Sequence, residues 1–217
     1  MTTEGCFHRL NEVLEHSGIE PLDAGTATKF ENYVSLIVRW NERLNLTSLR
    51  AEDAIISIHL AESIACARAI PHGVRTLLDF GSGAGLPGIP IALCRPEIAV
   101  TLAESQGKKA AFLQEAVRQL EISATVYPGR AETLIAVFGC VILRAVDKMP
   151  KAVAAGAKLV APGGWLALMT TKPYLAGLQV AAGPEFSWDR LLALPNATDR
   201  IVAFGCRQTA PRPSRPG

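Results

Sequence analysis

The sequence predicts a mostly parallel α/β sheet with helices on both faces, preceded by a helical extension. Three observations carry that reading. From Val74 onward, short apolar runs alternate with helical patterns, as in consecutive βαβ units. One of those runs, Leu77-Leu78-Asp79-Phe80, ends in a turn with glycine at every second position, Gly81-Ser82-Gly83-Ala84-Gly85. The residues before Pro71 place apolar side chains at helical spacing only.

The chain has 217 residues, 49% of them apolar and 19% charged, which suits a globular domain with a sizeable core and excludes a largely disordered chain. A net charge of +2 does not announce a polyanion binder. Its distribution says more: residues 1–72 hold six Lys/Arg against ten Asp/Glu, so basic residues predominate in the remainder. Five scattered cysteines with no CxxC pair argue against a zinc site or a disulfide framework, and no bound metal is expected. With no signal-peptide pattern and no apolar run of membrane-spanning length, the expected location is cytoplasmic.

A short helix is expected over Phe7–His16, stopped by Gly18. A second runs from about Thr26, with Phe30, Tyr33, Val34, Ile37, Val38 and Leu44 on one face. A third follows Asp53 as N-cap and carries Ile55, Ile56, His59, Leu60, Ser63, Ile64 and Ala67. Pro71-His72-Gly73 ends the helical part, giving an extension over 1–72 and a sheet domain over 73–208. Strands are predicted at Arg75–Phe80, Ile98–Ala103, Ala124–Tyr127, Gly139–Leu143 and Trp165–Met169. Helices fit between them at Ile89–Cys94, Lys108–Glu121, Ala131–Ala136 and Lys151–Val160. Arg190–Leu194 and Ile201–Gly205 read as a late strand pair, possible as antiparallel neighbours, and the Pro/Arg-rich stretch 209–217 as a disordered tail.

The glycine turn marks a nucleotide-type pocket at the carboxyl end of a parallel strand. Two registers overlap there. Gly83-Ala84-Gly85-Leu86-Pro87-Gly88 matches the dinucleotide pattern GxGxxG, with Glu104 about 20 residues on as a ribose acid. That register would make the chain a nicotinamide-dependent oxidoreductase. Read from Asp79, the segment gives D-x-G-x-G-x-G and resembles the first motif of class I methyltransferases, which bind S-adenosylmethionine. With Phe80 as the last strand residue, the dinucleotide register finds Leu86 where its third glycine belongs, so the methyltransferase register is favoured. It also uses Asp79, as a carboxylate for the methionine ammonium.

Glu104 closes the second strand, where its two oxygens can accept both ribose hydroxyls, or simply start the next helix. Ala131 and Glu132 follow the third strand and fall beside the adenine in this architecture, Glu132 being otherwise a surface residue. Arg144 closes the fourth strand, placed to pair with the methionine carboxylate, to grip RNA phosphate, or to snorkel.

Several separate segments resemble one family. They are Trp40-Asn41-Glu42-Arg43-Leu44-Asn45-Leu46-Thr47-Ser48, His59-Leu60-Ala61-Glu62-Ser63, Gly81 through Pro90 with its Leu86-Pro87-Gly88-Ile89-Pro90 extension, Glu104-Ser105-Gln106-Gly107-Lys108-Lys109 with Phe112-Leu113, and Arg144-Ala145. Across roughly residues 5 to 207 the chain resembles the RsmG (GidB) family, which methylates guanine N7 in small-subunit (16S) ribosomal RNA. The resemblance implies a class I, Rossmann-like methyltransferase fold. It also implies S-adenosyl-L-methionine contacts at Gly81, Leu86, Ala131, Glu132 and Arg144, with Glu104 on the ribose; Gly83, in the same glycine turn, is a further cofactor candidate. Asn45 and His59 would lie near the cofactor or the RNA, their plainer readings being a helix C-cap and a buried histidine. Lys108, Lys109 and Lys172 are candidates for RNA phosphate, the first two being equally a solvated helix face. No general base is expected, because N7 loses no proton before attack. The partner would be 16S ribosomal RNA or the small subunit, met by a monomer. The chain departs from the family in Glu62 and Glu104, where aspartates are usual, and in Thr170-Thr171-Lys172-Pro173, where a Lys-Gly pair is usual. That last departure leaves a non-catalytic assembly factor as a further alternative.

Overall fold

The computed structural model describes residues 3–44, 46 and 55–209, with side chains described at 9–44, at 46 and from 58 onward. Helix α1 is Thr3–His16 and α2 is Ala24–Leu44. Asp23 starts α2, its Oδ1 accepting the Thr26 backbone N–H at 3.0 Å, an N-cap that satisfies an otherwise unpaired donor. A π-helical segment, Ile55–Leu60, runs directly into α3, Ala61–Ala69. Asp53, expected to cap this helix, lies outside the described residues, as do Asn45 and residues 210–217.

The sheet domain then alternates as expected: β1 (Thr76–Phe80), α4 (Gly88–Cys94), β2 (Ala99–Ala103), α5 (Gly107–Leu120), β3 (Ala124–Tyr127), β4 (Phe138–Arg144), α6 (Met149–Lys158), β5 (Val160–Thr171), α7 (Lys172–Ala182), β6 (Phe186–Ala193) and β7 (Arg200–Arg207). Strand order is β3-β2-β1-β4-β5-β7-β6. The first five strands pair in parallel, while β7 runs antiparallel to both β5 and β6.

Two segments depart from expectation. The helix expected over Ala131–Ala136 is only a 3₁₀ turn, Ala131–Thr133. Thr133 Oγ1 meets the Arg130 carbonyl and the Tyr127 hydroxyl, each at 2.7 Å, and closes the turn; Leu134 is then extended and Ile135 stands fully in solvent. Helix α7 was not expected. Its stretch Tyr174-Leu175-Ala176-Gly177-Leu178-Gln179-Val180 lacks polar–apolar contrast, and Pro173 beside Lys172 reads as a break although proline is tolerated in a first turn.

Alternation along each strand divides the core between the two sheet faces. Leu77, Leu102, Ile142 and Phe204 meet Leu14, Phe30, Tyr33, Ile64 and Phe112 on one face. Leu78, Val141 and Leu166 meet Val153 and Leu178 on the other. The helices before Gly73 therefore share one continuous core with the sheet. Arg95, just past α4, fastens them: its guanidinium donates to the carbonyls of Ala67 and Ile70, each at 3.1 Å, at the end of α3. Replacing Arg95 by alanine leaves these carbonyls short of a donor. We expect Arg95→Ala to lose about 1–3 kcal/mol of stability, read from the urea unfolding midpoint. An unchanged midpoint would show that α3 needs no such clamp.

Candidate active site

The site grows from the carboxyl end of β1. Beyond Phe80 the chain turns back over the strand ends, and the N–H groups of Gly81 and Ser82 both donate to the Ala103 carbonyl, at 3.0 and 2.9 Å. Asp79 holds the turn from beneath. Its Oδ2 accepts the Gly88 N–H at 3.0 Å, and its carbonyl accepts the Ser82 hydroxyl at 3.0 Å. Gly88 is obligatory here, because a Cβ would sit 2.3 Å from Leu102 and 2.5 Å from the Asp79 carboxylate. From the helical side, the buried Tyr33 hydroxyl donates to the Ala84 carbonyl at 2.6 Å. Glu104 completes the rim: its Oε2 accepts the Gly83 N–H at 2.9 Å and its Oε1 the Gln106 N–H at 2.7 Å.

The loop Gly81–Ala84, Glu104 and Gln106 line a cavity of about 470 Å³, together with Leu86, Ser105, Lys109 and the segment Arg144–Asp147, with His59 and Leu46 at its side. A second cavity of about 320 Å³ adjoins it and shares His59, Arg144 and Ala145. The shared wall is an ion network around the buried Glu62. Arg144 Nη2 donates to Glu62 Oε2 at 2.7 Å and to His59 Nδ1 at 2.9 Å, while Nη1 donates to Ser63 Oγ at 3.1 Å. Arg200 reaches the other carboxylate oxygen at 2.5 Å. Because arginine has no acceptor, His59 must present Nδ1 as a lone pair and carry its proton on Nε2. Burial, helped by Arg144 and Arg200, lowers His59 to about 4, so its ring is neutral at ordinary pH.

Of the residues expected to bind cofactor, Gly81, Gly83, Leu86, Glu104 and Arg144 line the first cavity. Asp79 does not. It is 1% exposed and spends its carboxylate on Gly88, below the loop. Ala131 is buried outside the cavity wall, and Glu132 pairs with Arg130 at 3.0 Å. Lys109 is on the wall; Lys108 and Lys172 are exposed away from it. Sequence reasoning missed Ser105, Gln106, Val146 and Asp147 in the first cavity and Arg200 in the network. Glu62 carried a signal, being an acid inside the apolar run of α3.

A parallel sheet with one antiparallel strand inserted next to its edge, and a glycine turn beside an acid at the ends of β1 and β2, is the class I methyltransferase architecture. Among solved structures, the mitomycin 7-O-methyltransferase MmcR shares it, with a TM-score of 0.59 at 18% identity over 93% of this chain and 68% of that one. The family profile of GidB, rRNA small subunit methyltransferase G, matches residues 26–182. A ribosomal RNA small subunit methyltransferase G of Xanthomonas oryzae pv. oryzae is 41% identical over 169 residues, 76% of this chain and 78% of that protein. Another, from Xanthomonas euvesicatoria pv. vesicatoria, is 44% identical over 153 residues, 69% of this chain and 71% of that protein. The chain belongs to the rRNA small subunit methyltransferase G (GidB) family.

Burial raises the Asp79 carboxyl to about 7, against the opposing pull of the Gly88 N–H. The native state therefore retains a proton that the unfolded chain releases near pH 4. This contribution to stability is complete below that pH and is lost as pH rises through 7. Between pH 5 and pH 8, Asp79→Asn should gain about 1–4 kcal/mol relative to the parent in urea unfolding. A difference that stays constant over this range would refute the assignment.

Proposed function

We propose that the chain transfers a methyl group from S-adenosyl-L-methionine to N7 of a guanine in 16S ribosomal RNA, acting as a monomer in the cytoplasm. The observation that carries this reading is the pair of adjoining cavities at the carboxyl edge of the sheet, one glycine-rimmed, joined through His59, Arg144 and Ala145.

The first cavity fits the cofactor. At about 470 Å³ it lies in the range of small-molecule pockets. Gly83, at φ +58°, presents bare backbone, and a Cβ there would meet nothing nearer than the Gly81 carbonyl at 3.9 Å. Each Glu104 oxygen accepts one N–H and keeps a lone pair for a ribose hydroxyl. Asp79 acts through the loop it braces. When bound, S-adenosylmethionine supplies an electrophilic methyl group on a sulfonium.

Guanine N7 offers an in-plane lone pair and surrenders no proton, so the protein's task is alignment. Arg144 is rigid, tied to Glu62, His59 and Ser63, and fixes the wall between the two cavities. A neutral His59 adds no positive charge where the methylated base becomes cationic, and Asp147 puts a carboxylate on the first cavity's wall. Lys109 on the rim supplies a cation for the RNA backbone, and the exposed Lys108 and Lys172 are further candidates away from the cavity wall.

Calorimetric titration with S-adenosylmethionine, S-adenosylhomocysteine and NADH tests the pocket. The first two should bind the parent, and Gly83→Ala should weaken them at least ten-fold while the melting temperature falls by only a few degrees. Incubation of unmodified small subunits with labelled cofactor should then place the methyl on a guanine N7, mapped by cleavage at that base. Binding of NADH alone, or methyl transfer to another atom, would overturn the reading.

A further inference from the structure

Tyr174, in the first turn of α7, is 72% exposed and lies on the wall of the second cavity. An aromatic ring held in solvent at the mouth of a pocket leaves a large apolar face open to a ligand. It stands two residues beyond Lys172, directly after Pro173.

We propose that the second cavity receives the target guanine and that Tyr174 is the platform on which the base stacks. This rests on the reading above and adds to it a specificity-determining residue. The cavity's apolar lining from Met149, Met169 and Leu194 suits the faces of a flat heterocycle, with methionine a soft partner for aromatic rings. The Thr170 and Thr171 hydroxyls offer hydrogen-bonding groups for a base edge. A base taken out of its stack loses π contacts in the RNA, and an exposed tyrosine restores them on the enzyme. His59, Arg144 and Ala145 border both cavities, so a ring held here lies against residues that also line the cofactor cavity. Register places the chain turn correctly: Thr171 of β5 pairs with Arg200 of β7, so α7 leaves the sheet beside the Glu62 network.

The test compares Tyr174→Ala and Tyr174→Phe with the parent, using unmodified small subunits and labelled S-adenosylmethionine. Tyr174→Ala should lower kcat/KM for the subunit about ten- to a hundred-fold, the scale of one base–aromatic stack. Tyr174→Phe, which keeps the ring, should stay within about two-fold of the parent. Calorimetric affinity for S-adenosylmethionine and the melting temperature should be unchanged in both variants. Parent-like kinetics in Tyr174→Ala, or an equal loss in Tyr174→Phe, would overturn the stacking role while the methyltransferase reading stands. A parent that binds the cofactor yet methylates no guanine would overturn both.

Discussion

The buried Glu62 carboxylate is the point on which the site depends. It sits in an apolar helix, almost without solvent, and is held in place by two guanidiniums, one ending β4 and one opening β7. A charge so placed is costly unless it is fully paired, so the pairing is obligatory and its geometry is narrow. Burial pushes the carboxyl above its usual range while Arg144 and Arg200 pull it back. Three elements meet there: α3 brings Glu62 and Ser63, β4 ends on Arg144, and β7 begins on Arg200. The wall between the two cavities is this network, and its rigidity sets how the two compartments face one another.

The helical segment is therefore part of the catalytic architecture as well as of the core. Tyr33 of α2 holds the glycine loop at Ala84, and the residues just before and within α3 hold Arg144 through His59, Ser63 and Glu62. A sheet without these helices would lose the cover of one face as well as the struts that shape the loop and the inner wall.

Much of the fold was legible in the sequence because buried parallel strands must be apolar along their length and end in turns. Leu77–Phe80 with its glycines located β1, the loop and the first cavity together. What stayed hidden depended on long-range contact. Asp79 looks like a ligand-facing acid from its position, yet strand alternation and the close approach of Gly88 turn it under the loop. The pairing of Glu62 with Arg144 spans 82 residues, and no local pattern announces it. Helix α7 escaped notice because its sequence lacks amphipathic contrast, and Tyr174 with it.

Strand direction settles one further matter. In a sheet of parallel strands only the residues at strand ends reach the functional edge, and a residue that opens a strand is stranded at the far side. β7 runs the other way, so its first residue arrives where its neighbours finish, opposite Thr171. Reversing one strand thus lends the edge an additional position, filled here by Arg200. The hairpin that delivers it runs from the buried Leu194 to Asp199, whose carbonyl accepts the Lys172 N–H at 2.9 Å. A change in that hairpin therefore reaches the second cavity, which Leu194 and Arg200 line, while the first is rimmed by the ends of β1, β2 and β4.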